Sequence, residues 1–538
     1  MKKLIAILAI LLTITVVGCG EKDKETPPPE ETELNWNIGA DPKTLDPSLN
    51  GASDGGNVIN NTFEGLVREK DGEVLPGIAE TWDISEDGKT ITFHLRESKW
   101  SNGDPLTAND FVYSWKHAMD PETGSEYSWI WHYTNVVGSE EAVDGASLDD
   151  VGIEATDDST FVVQLKQPTE YFVSLTSFYH FMPLHQASVE AVAEGIWAKT
   201  PENAVSNGPF MLTEYELGKG LKLEKNPNYW NADNVKIKTI NGKFIDSEYT
   251  AFSAFQNDEL DFIPSVPASE ITRLIAEDDQ FYVFPLLGTY YYSFNTERDI
   301  WENPNVRRAL SLSIDREAIV NALGGIATPA TGMVPPGFTD HEGNDFYETA
   351  GDFGVGTDDS KYEEARNLLA DAGYPNGEGF PEDAVILYNT SEGHKLIAET
   401  IQQMWKDNLG ITVKLQNQDW AVFQGTRRAG DFDIARGGWL TDYMDPSGVL
   451  GIFTSDNDYN DPNFSNAEFD QLMNEAMTTT DKAEHFEKLY AAQEVFMNEM
   501  PIVPIYHYSD SMYVKSYVKD WGRSVLGSID FSSAKIEK

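Results

Sequence analysis

The side chain of Cys19 is the one thiol in the 538 residues, because the sequence contains a single cysteine. It lies where an apolar run, residues 4–17, ends at Gly18, and directly before a charged, proline-rich stretch. A thiol used once, at such a junction, indicates a point of lipid attachment. A single cysteine also excludes disulfide bonds within the chain.

The residues before Cys19 have the three parts of an export signal: Lys2 and Lys3, the apolar run and the small residue Gly18. The run is too short to span a hydrocarbon core, which needs about 20 residues. It resembles a lipoprotein lipobox, so residues 1–18 are expected to be a signal peptide and Cys19 to carry a diacylglyceryl group. Two acyl chains are sufficient for stable anchoring. The alternative is an ordinary cleaved signal with an incidental cysteine.

Residues 19–33 are expected to form the lipid anchor and a flexible linker. The stretch EKDKETPPPEETE is charged and rich in proline, so it cannot build a core. The folded body is predicted to begin at Leu34. It comprises roughly 500 residues, more than a single core usually organises, and two or three lobes are therefore expected.

The charge of the chain restricts its partners. It has 39 Lys and Arg against 89 Asp and Glu, a formal net charge of −50 at pH 7. Such a surface repels phosphate backbones and anionic headgroups, so we expect no nucleic acid and no membrane contact except through the lipid. Hydrophobic residues make up 40% of the chain, which is typical of a folded protein. We expect a monomer.

Motifs for covalent or metal catalysis are missing. The sequence contains no HExxH, GxSxG or Walker A motif, and its nine histidines show no metal-ligand spacing. Residues 456–467 imitate the start of a calcium loop, but Asp461 and Ala467 stand where such a loop needs glycine and glutamate. We therefore predict no enzyme activity, no cofactor and no metal. With 89 carboxylates, composition alone leaves a two-carboxylate hydrolase open.

The elements that would position functional residues are of mixed α/β type. Alternating apolar residues predict half-buried strands around Phe93, Phe161 and Leu223. Thr107 and Asp110 form a capping-box pattern that opens a helix.

The second half contains a predicted strand–helix–strand unit. Residues 384–388 and 411–415 have strand composition, and apolar residues recur at helical spacing between them until Gly410. Such a unit is expected to be parallel with a right-handed crossover. A helix over 420–429 and a strand over 432–435 follow. The pattern predicts a doubly wound lobe whose ligand crevice lies at the carboxyl ends of its strands.

Several blocks resemble the peptide-binding members of the extracellular solute-binding proteins that feed ABC importers. In order, they are FEGLV (63–67), GIAETWDISEDGKTITFHLRESKWSNGDPLTANDFVYSW (77–115), NGPF (207–210), EKNPNYW (224–230), GTYYYSFNT (288–296), NVRRALSLSIDREAIV (305–320), YNTSEGHKLIAETIQQMWKDNLGITVKLQNQDW (388–420), ARGGWLTDY (435–443) and PIVPIYHY (501–508). The likeness is to family 5, and within it to oligopeptide-binding lipoproteins. It implies the large, three-subdomain type of class II periplasmic-binding-protein-like fold, in which two lobes close over a ligand by a hinge.

The resemblance also implies the domain boundaries. One lobe would comprise residues 34–61, 186–285 and 507–538, with an extra subdomain over 62–185 on the same side. The second lobe would be residues 286–506, which contain the predicted strand–helix–strand unit.

A set of ligand-binding residues follows from the same resemblance. Asp442 matches the position that pairs with the terminal ammonium of a peptide, Arg436 the one that meets a tripeptide carboxylate, and His394 one that meets carboxylates of longer ligands. The residues expected to line the cavity or to offer main-chain groups are Tyr127, Trp420, Gly438, Trp439 and Leu440. From spacing alone, Asp442 fits a turn or a helix cap equally well.

Two further expectations concern His394 and the family's remaining basic position. An ordinary imidazole titrates near pH 6.5, so binding through His394 should weaken as the pH rises from about 5.5 to 8. For His394 the alternative is a solvent-facing position in a helix, and for Tyr127 and Trp420 it is plain packing. The family's further basic residue has no clean match, although His341 lies in the corresponding region.

The implied function is that of a lipid-anchored receptor on the outer face of the cell membrane. It would bind peptides of about 3–5 residues in extended form and deliver them to an ABC permease with its ATPase subunits. The alternatives are the same fold binding an oligosaccharide, a peptide sensor and, from a different class, a secreted hydrolase. Asp442 and Arg436 argue against a neutral sugar, which needs neither charge.

Overall fold

The computed structural model describes residues 32–70, 73–192 and 195–538, and Thr32–Lys538 form one compact unit. The predicted signal peptide, Cys19 and most of the predicted linker lie outside the described residues. Within the described ranges, no helix has the length and apolar character needed to cross a membrane.

The strands of the described chain are short except for two that exceed ten residues. They are β1 (Glu33–Asn37), β2 (Val67–Lys70), β3 (Glu73–Pro76), β4 (Ala79–Ile84), β5 (Thr90–Leu95), β6 (Ser98–Lys99), β7 (Pro105–Leu106), β8 (Ile153–Asp157), β9 (Thr160–Gln164), β10 (Phe210–Glu216), β11 (Gly220–Lys225), β12 (Thr239–Lys243), β13 (Phe262–Ile263), β14 (Phe281–Phe294), β15 (Thr328–Pro329), β16 (Val385–Asn389), β17 (Lys414–Gln418), β18 (Ile434–Leu440), β19 (Ile502–Val514), β20 (Val518–Lys519), β21 (Gly522–Arg523), β22 (Ile529–Asp530) and β23 (Lys535–Ile536).

The helices lie mostly between these strands. They are α1 (Ser53–Thr62), α2 (Ala108–Met119), α3 (Ser139–Val143), α4 (Phe172–Leu175), α5 (Gln186–Val189), α6 (Glu248–Gln256), α7 (Ala268–Glu277), α8 (Pro304–Leu312), α9 (Arg316–Ala322), α10 (Phe346–Ala350), α11 (Tyr362–Asp371), α12 (Glu392–Leu409), α13 (Trp420–Arg428), α14 (Ser447–Leu450), α15 (Ala467–Thr478) and α16 (Lys482–Glu499).

One large mixed sheet contains most of the longer strands. Its order is β10-β11-β12-β1-β13-β19-β14-β18-β16-β17, and β15 also pairs with β19. The long strands β14 and β19 are antiparallel neighbours at its centre. They therefore connect the β1, β10–β13 part of the sheet to the part that contains β16, β17 and β18.

The predicted strand–helix–strand unit is confirmed as β16, α12 and β17. The two strands are parallel, with Val385 opposite Lys414, and Gly410 ends α12 in the left-handed region at φ 73°. The prediction placed the second strand three residues too early, since buried Ile411 and Val413 connect the helix to the ladder before pairing begins. The strand predicted from residue 432 begins at Ile434 instead.

The patterns predicted in the first half are confirmed as well. The alternating residues form β5, β9 and β11 with alternating burial. Helix α2 begins with a reciprocal capping box between Thr107 and Asp110. Strands β5 and β9 lie in a separate four-stranded sheet of order β4-β5-β9-β8.

Strand β18 is positioned by β14. The two pair antiparallel from Gly288 opposite Leu440 to Phe294 opposite Ile434. On the other side, β16 pairs with β18 only at Ile434 and Ala435. One edge of residues 436–440 is therefore without a paired strand among the described residues.

Candidate functional site: a cavity beside strand β18

A cavity of about 530 Å³ lies along the unpaired part of β18. Its walls come from β18 and the residues just after it, from α13, from the start of α1 and from the chain around Tyr127 and residues 523–530. All of the predicted ligand-binding residues except His394 line it. Its volume falls in the range of roughly 300–1,000 Å³ that is typical of ligand pockets.

Asp442 places a carboxylate in this cavity with little compensation for its charge. The residue is 6% exposed, and its Oδ2 accepts a 2.7 Å hydrogen bond from the hydroxyl of Tyr127. Burial raises the pKa of Asp442 to about 8, although the Tyr127 bond opposes the shift. No cationic side chain of the described chain lowers this pKa. A buried carboxylate without a counter-ion is suited to a cationic ligand group, which would offset the cost of burying its charge.

Tyr127 belongs to a cluster of aromatic rings around this carboxylate. Its ring is stacked 6.1 Å from Trp439, and Tyr459 contacts both rings edge-on. The indole N–H of Trp439 donates to the carbonyl of Gly448 at 2.7 Å. The cluster excludes water from Asp442 and so accounts for its raised pKa.

The unpaired edge of β18 can hydrogen-bond to an extended chain. Gly437 and Gly438 are required there by close approach, since a Cβ would lie 2.2 Å from the Tyr291 ring and 2.2 Å from the Tyr508 hydroxyl, respectively. Gly438 and Leu440 line the cavity. Main-chain groups at such an edge bind another strand by β-augmentation.

Arg436 lies at the opposite end of this edge from Asp442. Its Nη2 donates to the hydroxyl of Tyr508 at 3.0 Å, and its guanidinium carbon is 5.0 Å from the centre of the Tyr290 ring. Its Nε is buried and has no hydrogen-bond partner among the described residues. A guanidinium group that retains a free buried donor is suited to an anionic ligand group.

His394 lies behind Tyr290 and outside the walls of the cavity. Its Nδ1 is 3.2 Å from the hydroxyl of Tyr290, and it is in the first turn of α12, where Ser391 caps its backbone N–H. Burial and the charge of Arg436 hold the pKa of His394 well below its usual range. The imidazole is therefore neutral, and the expected titration near pH 6.5 does not fit its environment.

Trp420 and His341 occupy different environments. Trp420 begins α13, lines the cavity and stacks on Phe423 at 6.0 Å. His341 is exposed and stacks on Phe486 at 6.0 Å, away from the cavity walls.

Several charged residues of the cavity were not predicted. Arg427 and Arg428 line it from α13, and both contact the carboxylate of Asp461, which also lines it. The sequence pattern that could have identified them is their helical spacing from Trp420, which places residues 424, 427 and 428 on one face of α13. Within the described residues, no group of three or more His, Cys, Asp or Glu side chains could hold a metal ion.

The chain belongs to the bacterial extracellular solute-binding proteins, family 5. The model of that family's middle region matches residues 73–461. The predicted family and the predicted two-lobed, periplasmic-binding type of α/β fold are thereby confirmed.

The relatives are similar over nearly their whole length. The oligopeptide-binding protein OppA of Bacillus subtilis is 38% identical, over 99% of both chains. Haemophilus influenzae OppA, whose crystal structure contains RPPGFSPFR, is 35% identical in sequence. That structure superposes on this one with a TM-score of 0.86, over 95% of this chain and 99% of that one.

A third relative indicates the conformation of this structure. The Escherichia coli murein tripeptide binding protein MppA is 33% identical and superposes with a TM-score of 0.87, over 94% of this chain and 98% of that one. Its unliganded open form superposes over the same shares with a TM-score of only 0.64. The structure of this chain is therefore unlike the open form.

Proposed function

We propose that this protein binds short peptides in extended form and holds their terminal ammonium on Asp442. The observation that carries the proposal is the buried, singly hydrogen-bonded carboxylate of Asp442 in a cavity. Every unmodified peptide supplies the cation that this carboxylate lacks. At about 4 Å, such a pair gains about 4 kcal/mol at an effective dielectric constant of 20, before desolvation.

The backbone of the peptide would pair with the unpaired edge of β18. This recognition mode reads main-chain groups and tolerates different side chains. The relatives support a peptide ligand by their names, as oligopeptide-binding and murein tripeptide binding proteins. A neutral sugar would leave the charges of Asp442 and Arg436 without partners.

Peptide length would be read by the positions of the positive groups. An extended peptide advances about 3.3 Å per residue, so only certain lengths bring its carboxylate to a given positive group. From the family resemblance, Arg436 is proposed to meet the carboxylate of a tripeptide. His394, behind Tyr290, is proposed for longer ligands, and lengths of about 3–5 residues are proposed on this basis. The nonapeptide bound to the Haemophilus influenzae relative makes longer peptides a necessary part of any test.

Calorimetric titration with a tetrapeptide and its N-acetyl derivative tests the role of Asp442. Removing one partner of a buried charge pair costs about 2–5 kcal/mol, so Asp442→Asn should weaken the free peptide about 30-fold or more. Acetylation of the peptide should weaken binding to the wild type by a similar factor. Asp383→Asn, which removes an exposed carboxylate, is the matched control. Equal affinity of the wild type for free and acetylated peptides would contradict the proposal.

The protein would present its cavity outside the cell on a lipid anchor at Cys19 and deliver peptides to an ABC permease without chemical change. Cys19→Ala should fold normally and move from the membrane fraction to the medium. Membrane retention of this variant, together with no acyl mass on the wild type, would contradict the anchor. A peptide sensor would bind the same ligands. If the protein is a sensor, uptake of labelled peptide should be normal in cells from which it is deleted.

A further inference from the structure

The face of α13 that lines the cavity carries a surplus of positive charge. Trp420, Gln424, Arg427 and Arg428 line the cavity from this helix, and Asp461 lies against the two arginines. Asp461 is in the stretch that resembles a calcium loop in the sequence. Its carboxylate contacts guanidinium groups instead.

One buried carboxylate is shared by the two guanidinium groups. Oδ2 of Asp461 is 2.9 Å from Nε of Arg427, and Oδ1 contacts Nη1 of Arg428. The side chains of Asp461, Arg427 and Arg428 are 4%, 9% and 19% exposed. A guanidinium group has five N–H donors, so one carboxylate satisfies neither the charge nor all the donors of two.

The geometry of this cluster is fixed by further contacts. The guanidinium carbon of Arg428 lies 3.6 Å from the centre of the Tyr459 ring, and Nη1 of Arg427 is 3.4 Å from the carbonyl oxygen of Arg436. Two other acidic residues that line the cavity are paired with different cations: Glu126 is 2.9 Å from Lys43, and Asp530 is 3.8 Å from Arg68. The cluster is thus a preorganised site for an anion.

We propose that Arg427, Arg428 and Asp461 form a subsite that prefers an acidic side chain of the bound peptide, and that Asp461 limits the strength of this preference. The inference rests on the proposed peptide-binding function. A glutamate or aspartate side chain would accept hydrogen bonds from the guanidinium groups and neutralise their remaining charge. A lysine side chain would add to that charge.

The test is a calorimetric titration of tetraalanine and of its variants with Glu, Gln or Lys at position 1, 2 or 3. At one of these positions, Glu should bind at least about tenfold more tightly than Gln, the scale of a hydrogen bond to a charged group, and Lys should bind more weakly than Gln. Binding of tetraalanine itself, with its dependence on Asp442, reports on the proposed function separately. If tetraalanine binds and Glu has no advantage over Gln at any position, the subsite is wrong and the proposed function stands. If none of the peptides binds, both are wrong.

Two variants should move the Glu-to-Gln affinity ratio in opposite directions. Arg428→Gln should lower the ratio towards one, and Asp461→Asn should raise it, because it releases both guanidinium charges. Arg366→Gln, which removes an exposed arginine, is the control and should leave the ratio unchanged. A ratio that falls in Asp461→Asn would contradict the proposal. If that variant fails to fold, the peptide series with wild type and Arg428→Gln decides.

Discussion

The hydroxyl of Tyr127 and the carboxylate of Asp442 are joined by a 2.7 Å hydrogen bond across 315 residues of sequence. Tyr127 is in the predicted extra subdomain and Asp442 in the predicted second lobe. With the predicted boundaries, such a bond is expected to form only when the two parts approach each other over the cavity. The comparison with MppA supports that interpretation, because the unliganded open form of MppA superposes on this structure with a lower TM-score than the other MppA structure does. We therefore expect the bond to link closure of the cavity to the charge state of the carboxylate.

Replacing Tyr127 with Phe should weaken peptide binding. The change removes the hydrogen bond that stabilises ionised Asp442, and a bond to a charged group contributes about 1.5–3 kcal/mol, so affinity should fall about ten- to hundredfold. Titration with free and N-acetylated tetrapeptides measures it. Tyr133→Phe, which removes a 2.9 Å bond to the carbonyl of Gly451, is the matched control and should discriminate less between the two peptides. An equal effect of Tyr127→Phe on both peptides would count against its action through Asp442.

Asp442 should also keep the empty cavity from closing. In this structure its pKa is about 8 because burial disfavours the charge, so reaching this conformation without a ligand requires Asp442 to bind a proton or to be buried as an uncompensated ion. The empty protein should therefore be more compact at pH 5.5 than at pH 9, and Asp442→Asn should be compact at both. Small-angle scattering of ligand-free protein measures this difference. A radius of gyration that is independent of pH in the wild type would refute the mechanism.

The sequence allowed the local elements to be predicted because their signals are local. Thr107 and Asp110, which are three residues apart, indicate the start of α2. Gly410 indicates the end of α12, at the position where a left-handed residue is required. The strand over 411–415 was displaced because burial of Ile411 and Val413 is common to a strand and to a buried connection. Local patterns thus predict the type of an element better than its ends.

The site could be predicted only in part, because its chemistry depends on contacts that are distant in sequence. The block ARGGWLTDY indicated Asp442 and Arg436 through family resemblance. Nothing near Asp442 in sequence indicates that Tyr127 is its hydrogen-bond donor, and nothing near Arg427 indicates Asp461. The neutral state of His394 likewise follows from burial and from Arg436, which are properties of the fold.

His394 should not make peptide binding dependent on pH through its own titration. Its pKa is well below the usual range, so its charge is constant between pH 5.5 and 8. The ratio of wild-type to His394→Gln affinity for a tetrapeptide should therefore be the same at both pH values, whatever Asp442 contributes to each. Calorimetry at the two pH values with both proteins gives this ratio. A ratio that is several-fold larger at pH 5.5 would restore the model in which a charged His394 holds the peptide carboxylate.

Replacement of Arg436 should have an effect that depends on peptide length. Its guanidinium group is proposed to meet the carboxylate of a tripeptide bound from Asp442, and loss of a hydrogen bond to a charged group should then cost tripeptides about 1.5–3 kcal/mol. Tetrapeptides and longer peptides should lose much less with Arg436→Gln. Titration of peptides of three to nine residues measures the profile. A uniform loss over all lengths would show that Arg436 supports the cavity without reading length.

The loop that follows Asp442 is held by an ion pair that should make stability dependent on pH. His485 lies with Nε2 3.0 Å from Oδ2 of Asp445 and Nδ1 2.8 Å from the carbonyl oxygen of Ala476. Both partners only accept hydrogen bonds, so both ring nitrogens must carry protons. Burial opposes this charge, but the hydrogen bond and charge of Asp445 outweigh it and raise the pKa of His485 above its usual value.

The charged groups around His485 leave Asp445 as its main partner. On its own helix, Lys488 pairs with Glu475 of α15, Lys482 pairs with Glu170, and Glu484 accepts a hydrogen bond from Thr479. From the other side of the loop, Tyr171 stacks on Tyr443 at 4.7 Å. Asp445 in turn accepts hydrogen bonds from the backbone N–H and the hydroxyl of Ser447. The pair therefore ties α16 to the loop between Asp442 and α14.

Because the folded pKa of His485 is raised above its unfolded value near 6.5, the pair stabilises the protein fully below that pH. This stabilisation is lost as the pH rises through the folded pKa. His485→Gln should lower the free energy of unfolding by about 1 kcal/mol at pH 6, since the pair is only partly buried, and by much less at pH 9. Urea denaturation at the two pH values measures both.

His94→Gln is the control, because His94 and Asp83 form a 2.9 Å pair that is largely exposed. A loss for His485→Gln that is equal at pH 6 and pH 9 would mean that packing, and not the proton on His485, holds the loop.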